Sequence, residues 1–352
     1  MRESTRMRAL LNPSLDLAAV PAPSSEAVAF HRGLAGYRPT PLDALPAVAS
    51  ELGLASVSLK DESDRLGLPA FKVLGAAWAV ERALREQPDV RALVAASAGN
   101  HGRAVAHVAA LRGLECRIYL PARATPARRD AIASEGADVV VTEGTYEEAV
   151  ARATADGMQP GVLTLADVGE SGPAHWVIDG YHTLFAEVQA QGAFDALLVP
   201  VGAGPFAAAA ARFGADAGIV VIGVEPKTAA CLTASLAAGH PTVIENPGTS
   251  MAGLDCAEIS HTAWPSLRDG IHATVTVSDP EVHAAMRELA GLGLRIGDCG
   301  AAPLAALRAL TAEPECADVR AAVGLGPESR VLLIASEGVT DPAGYATTLA
   351  GG

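Results

Sequence analysis

Lysine is nearly missing from this 352-residue chain: Lys60, Lys72 and Lys227 stand against 23 arginines. A chain this biased keeps a lysine either incidentally or where it needs an amine. Guanidinium is never deprotonated and forms no Schiff base. Positive charge as a whole is also in deficit, with 26 Lys and Arg against 40 Asp and Glu and a formal net charge of −14. Such a surface repels phosphate backbones, which argues against nucleic acid as a partner. Cysteines number only five, lie far apart and form no CxxC. That argues against a zinc site and against a secreted disulfide framework. Long apolar runs are absent too. The most apolar stretch, Ala196–Ala211, contains Pro200 and Pro205 and stops at Arg212. It is too short and too broken to cross a bilayer, so no membrane association is expected. The first residues, MRESTRMRALLNP, carry three arginines but no apolar core of a signal peptide. The expectation is a cytoplasmic globular protein with a large core and about two domains.

From residue 90 onward, short apolar runs alternate with helical stretches. Ala92–Ser97, Cys116–Pro121, Val162–Asp167, Ala196–Val201, Gly218–Glu225 and Arg330–Ser336 read as buried strands. DVVVTE reads as another, and His101–Gly113 and Trp176–Gln191 read as helices. Continuous apolar strands, each followed by a helix, indicate α/β architecture with parallel-rich twisted sheets covered on both faces. The first 40 residues, with Pro13, Pro21, Pro23 and Pro39 and with Pro41 just after, read as an irregular segment wrapping the body. Ligands in such sheets sit at the carboxyl ends of strands.

Four stretches fall there. Lys72 follows a Gly/Pro loop and opens an apolar helical run, AFKVLGAAWAV. The positive end of a helix disfavours ammonium and favours a reactive amine. Alone, the segment equally fits a solvated first-turn lysine. SAGNHG (Ser97–Gly102) lies between a strand and a helix and offers backbone N–H groups to an anion, or is a tight turn that needs glycine. No HExxH or similar spacing surrounds His101, which reads as a capping or packing residue. Gly202, Ala203 and Gly204 also lie between a strand and a helix, in phosphate-cradle geometry. Gly202-x-Gly204-x-x-Ala207 with Glu225 after the next strand fits a relaxed dinucleotide fingerprint as well, so a nicotinamide oxidoreductase stays open here. Ser336 ends a strand, where its hydroxyl faces a ring nitrogen or caps a turn.

Taken together and in order, these stretches resemble the fold-type-II, tryptophan-synthase β-like enzymes that depend on pyridoxal 5′-phosphate (PLP). Within that group the resemblance is to the diaminopropionate ammonia-lyase family. It rests on Phe30–Leu42, Lys60–Ala76, Gly99–Ala106, Met251–Glu258 with Ala263–Gly270, Gly297–Leu307 and Ser336–Pro342. The resemblance implies a two-domain fold: residues 1–91 and 181–352 as a large cofactor-binding domain, 92–180 as a smaller mobile one. It implies that Lys72 holds the cofactor and moves the substrate α-proton. Gly202, Ala203 and Gly204 would cradle the 5′-phosphate, Asn100 would bond the ring 3′-oxygen, and Ser336 would face the pyridine nitrogen. Ser97, Ala98, Gly99 and Asn100 would grip the substrate carboxylate, and Asp167 would serve as an additional acid or base. The implied reaction is α,β-elimination from a β-substituted L-amino acid, L-2,3-diaminopropionate foremost, by a homodimer. Cys231 and Cys256 sit where family cysteines do, paired or as two thiols.

The chain departs from the family in two places: after Asp167, where VGESGPAHW differs from the family's DTAWEGY-type run, and at residue 98. Ala98 replaces the aspartate of the family's Asp-Gly-Asn-His-Gly, a residue associated with the D-isomer, and gives the SAGNH of serine/threonine dehydratases. Alternatives are therefore an L-serine/threonine dehydratase, a β-replacement synthase, or a PLP-binding protein without turnover.

Overall fold

The computed structural model describes residues 7–166 and 172–351. Eleven strands are described: β1 Ala9–Leu11, β2 Leu42–Ala44, β3 Ser56–Asp61, β4 Ala92–Ala96, β5 Glu115–Leu120, β6 Asp138–Val141, β7 Val162–Thr164, β8 Ala196–Pro200, β9 Val220–Pro226, β10 Ala273–Val277 and β11 Arg330–Ala335. They form two sheets. The larger runs β1-β10-β9-β8-β11-β3-β2, and the smaller runs β6-β5-β4-β7. Only the edge strands β1 and β2 pair antiparallel; every other pairing in either sheet is parallel. The central strands β8 and β11 are buried along almost their whole length, as expected where helices cover both faces.

The apolar runs after residue 90 form strands, but the run read as Val162–Asp167 is a strand only to Thr164, and its last residue lies outside the described residues. The N-terminal segment is not wholly irregular. Ala9–Leu11 extends the large sheet by pairing with Ala273–Val275, and Glu26–Arg32 is a helix. The strands β2, β3 and β10 also lie outside the apolar pattern that marks the others. The helix read over Trp176–Gln191 begins at Gly172, so residue 180 falls inside a continuous helix of 20 residues.

That helix crosses the helix Lys72–Glu86 with almost no space between backbones. A Cβ at Gly75 would lie 2.7 Å from the Tyr181 ring, and one at Gly180 would lie 2.6 Å from the Leu74 carbonyl oxygen. Two glycines at the crossing let the chains touch.

The same helix carries Glu187 into a buried set of four charges. Glu187 receives hydrogen bonds from Lys60 Nζ at 2.8 Å and from Arg65 at 2.7 and 2.9 Å. Arg65 also donates to Glu62 at 2.6 and 2.7 Å. None of these four side chains is more than 2% exposed. Burial works against the Glu187 charge, but Arg65 and Lys60 hold its carboxyl below the ordinary range. Lys60 is thus a structural cation.

Two buried histidines brace the same helices. His31 Nε2 lies 3.0 Å from the Leu74 carbonyl and Nδ1 lies 2.7 Å from Thr183 Oγ1. The carbonyl can only accept, so Nε2 carries the proton and the threonine hydroxyl donates to Nδ1. His182 Nδ1 accepts the Ser24 N–H at 2.7 Å. Burial lowers His31 to about 4 and His182 to about 3. A free imidazole titrates near ~6.5, so the unfolded chain takes up these protons first. Their contribution is complete above about pH 6.5 and is lost as the pH falls towards 4. The melting temperature should fall across that window in the wild type. The His31→Asn variant should melt lower at pH 7.5 but with a shallower slope; parallel slopes would refute the assignment.

Candidate functional site

The strand order places the carboxyl ends of β8 and β11 side by side. The chain leaves β8 through Val201, Gly202, Ala203 and Gly204 and enters the helix Pro205–Ala217. Gly204 caps this helix with φ of 102°, a left-handed conformation that favours glycine, and Pro205 takes the first helical position. A Cβ at Gly202 would stand 2.6 Å from the Gly253 carbonyl oxygen. Behind the loop, Ala203 O accepts the Ser260 N–H at 2.8 Å. The result is a rigid turn that presents the unpaired N–H groups of a helix start, an anion cradle.

Lys72 stands beside it. Phe71 packs its ring 4.0 Å, centroid to centroid, from Phe206, in the first turn of the cradle helix. The Phe71 N–H reaches Ser336 O at 3.3 Å, Ala70 pairs antiparallel with Glu337, and the Gly338 N–H donates to Pro69 O at 2.9 Å. The loop before Lys72 is therefore stitched to the end of β11. Lys72 opens its helix half-buried, with Nζ 5.5 Å from the centre of the Phe71 ring. The other lysines are elsewhere: Lys60 is locked among charges and Lys227 is exposed after β9.

The small sheet supplies the facing wall. Ser97, Ala98 and Gly99 turn the chain from β4 into the helix Asn100–Arg112, with the Gly99 N–H 3.3 Å from Ser97 Oγ. Asn100 Nδ2 donates to the Glu337 carboxylate, a direct link from the small sheet to the end of β11. His101 turns the other way, its Nε2 2.9 Å from Leu165 O. This holds the chain two residues before Asp167, which itself lies outside the described residues.

The carboxyl ends of β8 and β11 thus bring the Gly202–Ala203–Gly204 turn, Ser336 and the loop before Lys72 together, and Asn100 reaches them through Glu337, with Ser97, Ala98 and Gly99 in the turn leading to Asn100. Glu337 was not singled out in the sequence. Its signal was only a carboxylate directly after a strand end that already carried Ser336.

Glu225 is not available to a ribose. It is wholly buried and accepts the N–H groups of Leu232 and Thr233, at 2.6 and 2.8 Å, and the Thr233 hydroxyl at 2.7 Å. Burial pushes it up to about 7. A dinucleotide reading loses its acidic residue. Cys231 and Cys256 form no disulfide and both lie near Gly202: Cys231 Sγ is 3.7 Å from Gly202 O, and Cys256 Sγ is 3.3 Å from where a Gly202 Cβ would be. Among the described residues, no cluster of three metal-ligating side chains occurs and no helix is long and apolar enough to cross a membrane.

Residues 34–337 match the family model for pyridoxal-phosphate-dependent enzymes. The chain belongs to that family. Diaminopropionate ammonia-lyases from Salmonella typhimurium (strain LT2) and Escherichia coli (strain K12) are each 32% identical to it, covering 90% of this chain and 89% and 88% of theirs. The crystal structure of holo diaminopropionate ammonia-lyase from E. coli superposes with a TM-score of 0.89 at 28% identity, over 97% of this chain and 96% of that one. The chain therefore has the fold-type-II architecture of PLP enzymes.

The residues present fit the cofactor. Gly202–Gly204 lead into a helix start whose N–H groups suit a phosphate, and the one half-buried lysine follows Phe71, whose ring packs on that helix. Gly202→Ala should destabilise the protein by about 1–3 kcal/mol, because the new methyl meets backbone that cannot rotate away. Thermal denaturation of the apoprotein measures this; an unchanged melting temperature would show that the loop is not tightly held.

Proposed function

We propose that this enzyme eliminates ammonia from L-2,3-diaminopropionate, giving pyruvate and two ammonia with uptake of one water. The observation that carries the reading is the junction of the Lys72 loop with the end of β11, beside a backbone anion cradle. The likeness to diaminopropionate ammonia-lyases over nine-tenths of the chain supports it.

When bound, PLP supplies the electron sink for the charge left as an α-proton departs. The Lys72 amine holds the cofactor covalently and carries that proton. The backbone of Gly202, Ala203 and Gly204 holds the phosphate. Asn100 bonds the ring 3′-oxygen and Ser336 faces the ring nitrogen. A neutral hydroxyl there withdraws electrons more weakly than an acid partner would, which suits elimination over transamination. Ser97, Ala98, Gly99 and Asn100 bind the substrate carboxylate. Asp167 supplies the acid that protonates the departing β-nitrogen. The small sheet, β4 to β7, with its helices acts as the smaller, mobile part that closes over substrate. We place the enzyme in the cytoplasm as a homodimer.

The purified protein should show the visible absorption band of bound cofactor and form pyruvate on addition of L-2,3-diaminopropionate. Lys72→Ala should lose the covalent lysine adduct and turnover. A cofactor band that responds to substrate without pyruvate would move the chemistry to replacement or to another amino acid. No band after adding PLP would sink the reading.

Ala98 deletes a carboxylate that the ammonia-lyase pattern carries. The D-isomer should therefore turn over about 10²-fold more slowly than the L-isomer, the scale of one lost acid–base group. Equal pyruvate formation from the two enantiomers would refute that preference.

A further inference from the structure

Glu337 joins three parts of the cleft. Its backbone pairs with Ala70, two residues before Lys72. It follows Ser336 in the chain, and its carboxyl reaches Asn100 on the opposite wall. The residue is 6% exposed. The same carboxyl accepts the Cys299 N–H at 3.4 Å, near the start of the helix Asp298–Ala312. Burial, aided by the nearby Asp298 charge, holds it above the ordinary carboxylate range.

Capping that helix explains only one of the two contacts. A Cβ at Gly297 would run into the Gly338 carbonyl oxygen, so the helix takes its carboxyl from Glu337 and not from its own N-cap position. One carboxyl oxygen accepts the Cys299 N–H; the other crosses to the small sheet. A primary amide pinned through one N–H has its plane fixed, so its remaining N–H and its carbonyl point in set directions.

We propose that Glu337 is a positioning residue of the cofactor site: its buried carboxyl pins the Asn100 side-chain amide across the cleft, so that the amide meets the cofactor ring already oriented. This rests on the reading that Asn100 contacts the ring. Glu337 itself touches neither cofactor nor substrate and acts through Asn100.

The experiment measures PLP dissociation constants by equilibrium dialysis for the wild type, Glu337→Gln, Asn100→Ala and the double variant, with the melting temperature of each apoprotein alongside. Glutamine keeps the shape and one acceptor for the Cys299 N–H, but turns a donor towards Asn100. Glu337→Gln should weaken PLP binding about tenfold, the scale of one charge-assisted hydrogen bond. In the Asn100→Ala background it should change binding by less than about twofold, because a residue acting through another has nothing left to act on. If the glutamine variant does not fold, Glu337→Asp, whose carboxyl is withdrawn by one methylene, repeats the comparison.

A lower melting temperature with unchanged PLP affinity would reduce Glu337 to a helix cap and overturn the proposal. So would equal losses in the two backgrounds. If Asn100→Ala weakens PLP binding and the Glu337 variants do not, the proposal fails and the reading of Asn100 stands. If Asn100→Ala is itself without effect, the reading of Asn100 fails and takes the proposal with it.

Discussion

Four charges out of reach of water fix where the cleft can be. Lys60 on β3, Glu62 and Arg65 just beyond it, and Glu187 on the long helix close on one another within hydrogen-bonding distance. The segment before β2 is drawn in as well. Tyr37 Oη donates to Glu187, Thr40 Oγ1 to Glu62, and Thr40 O accepts from Lys60. A charge left alone here would be costly, because desolvation is repaid only when every partner is present. The set therefore holds together three segments that are remote in sequence. Among them is the stretch that turns at Arg65–Leu68 and runs to Lys72. The lysine is placed by a network it does not belong to.

From there the positioning is transmitted by backbone. Pro69 to Phe71 lie along Ser336 to Gly338, and the Phe71 ring rests on the first turn of the cradle helix. Glycines at 75 and 180 bring the lysine helix hard against the helix bearing Glu187. The anion cradle, the amine and the strand end are thus parts of one packed body. The small sheet meets that body at the cleft through Asn100.

Most of the parallel architecture could be read from residues because its strands are buried on both faces and therefore continuously apolar, as Ala196–Val201 and Arg330–Ser336 are. The strands that escaped are of another kind. β3 reads SVSLKD, and its lysine is buried only because Glu187, 127 positions away, neutralises it. β10 carries Thr274 and Thr276, whose hydroxyls find partners in the Thr233 hydroxyl and the Met7 carbonyl, both distant in sequence. β1 is three residues long and exists as a strand only beside β10. The cleft was legible where chemistry leaves a local mark: a glycine loop after a strand, or a lysine after a Gly/Pro loop. Choosing between Lys60 and Lys72 was not a local matter, since one block of sequence contains both. Nor was Glu337, whose meaning depends on which residue stands across from it.

The scarcity of lysine has a practical side. With Lys60 enclosed and Lys72 half-buried in the cleft, Lys227 holds the exposed side-chain amine, just past the end of β9. Reagents that acylate or cross-link surface amines would find one side-chain target in the whole molecule. An attachment made through it would consume none of the cleft residues.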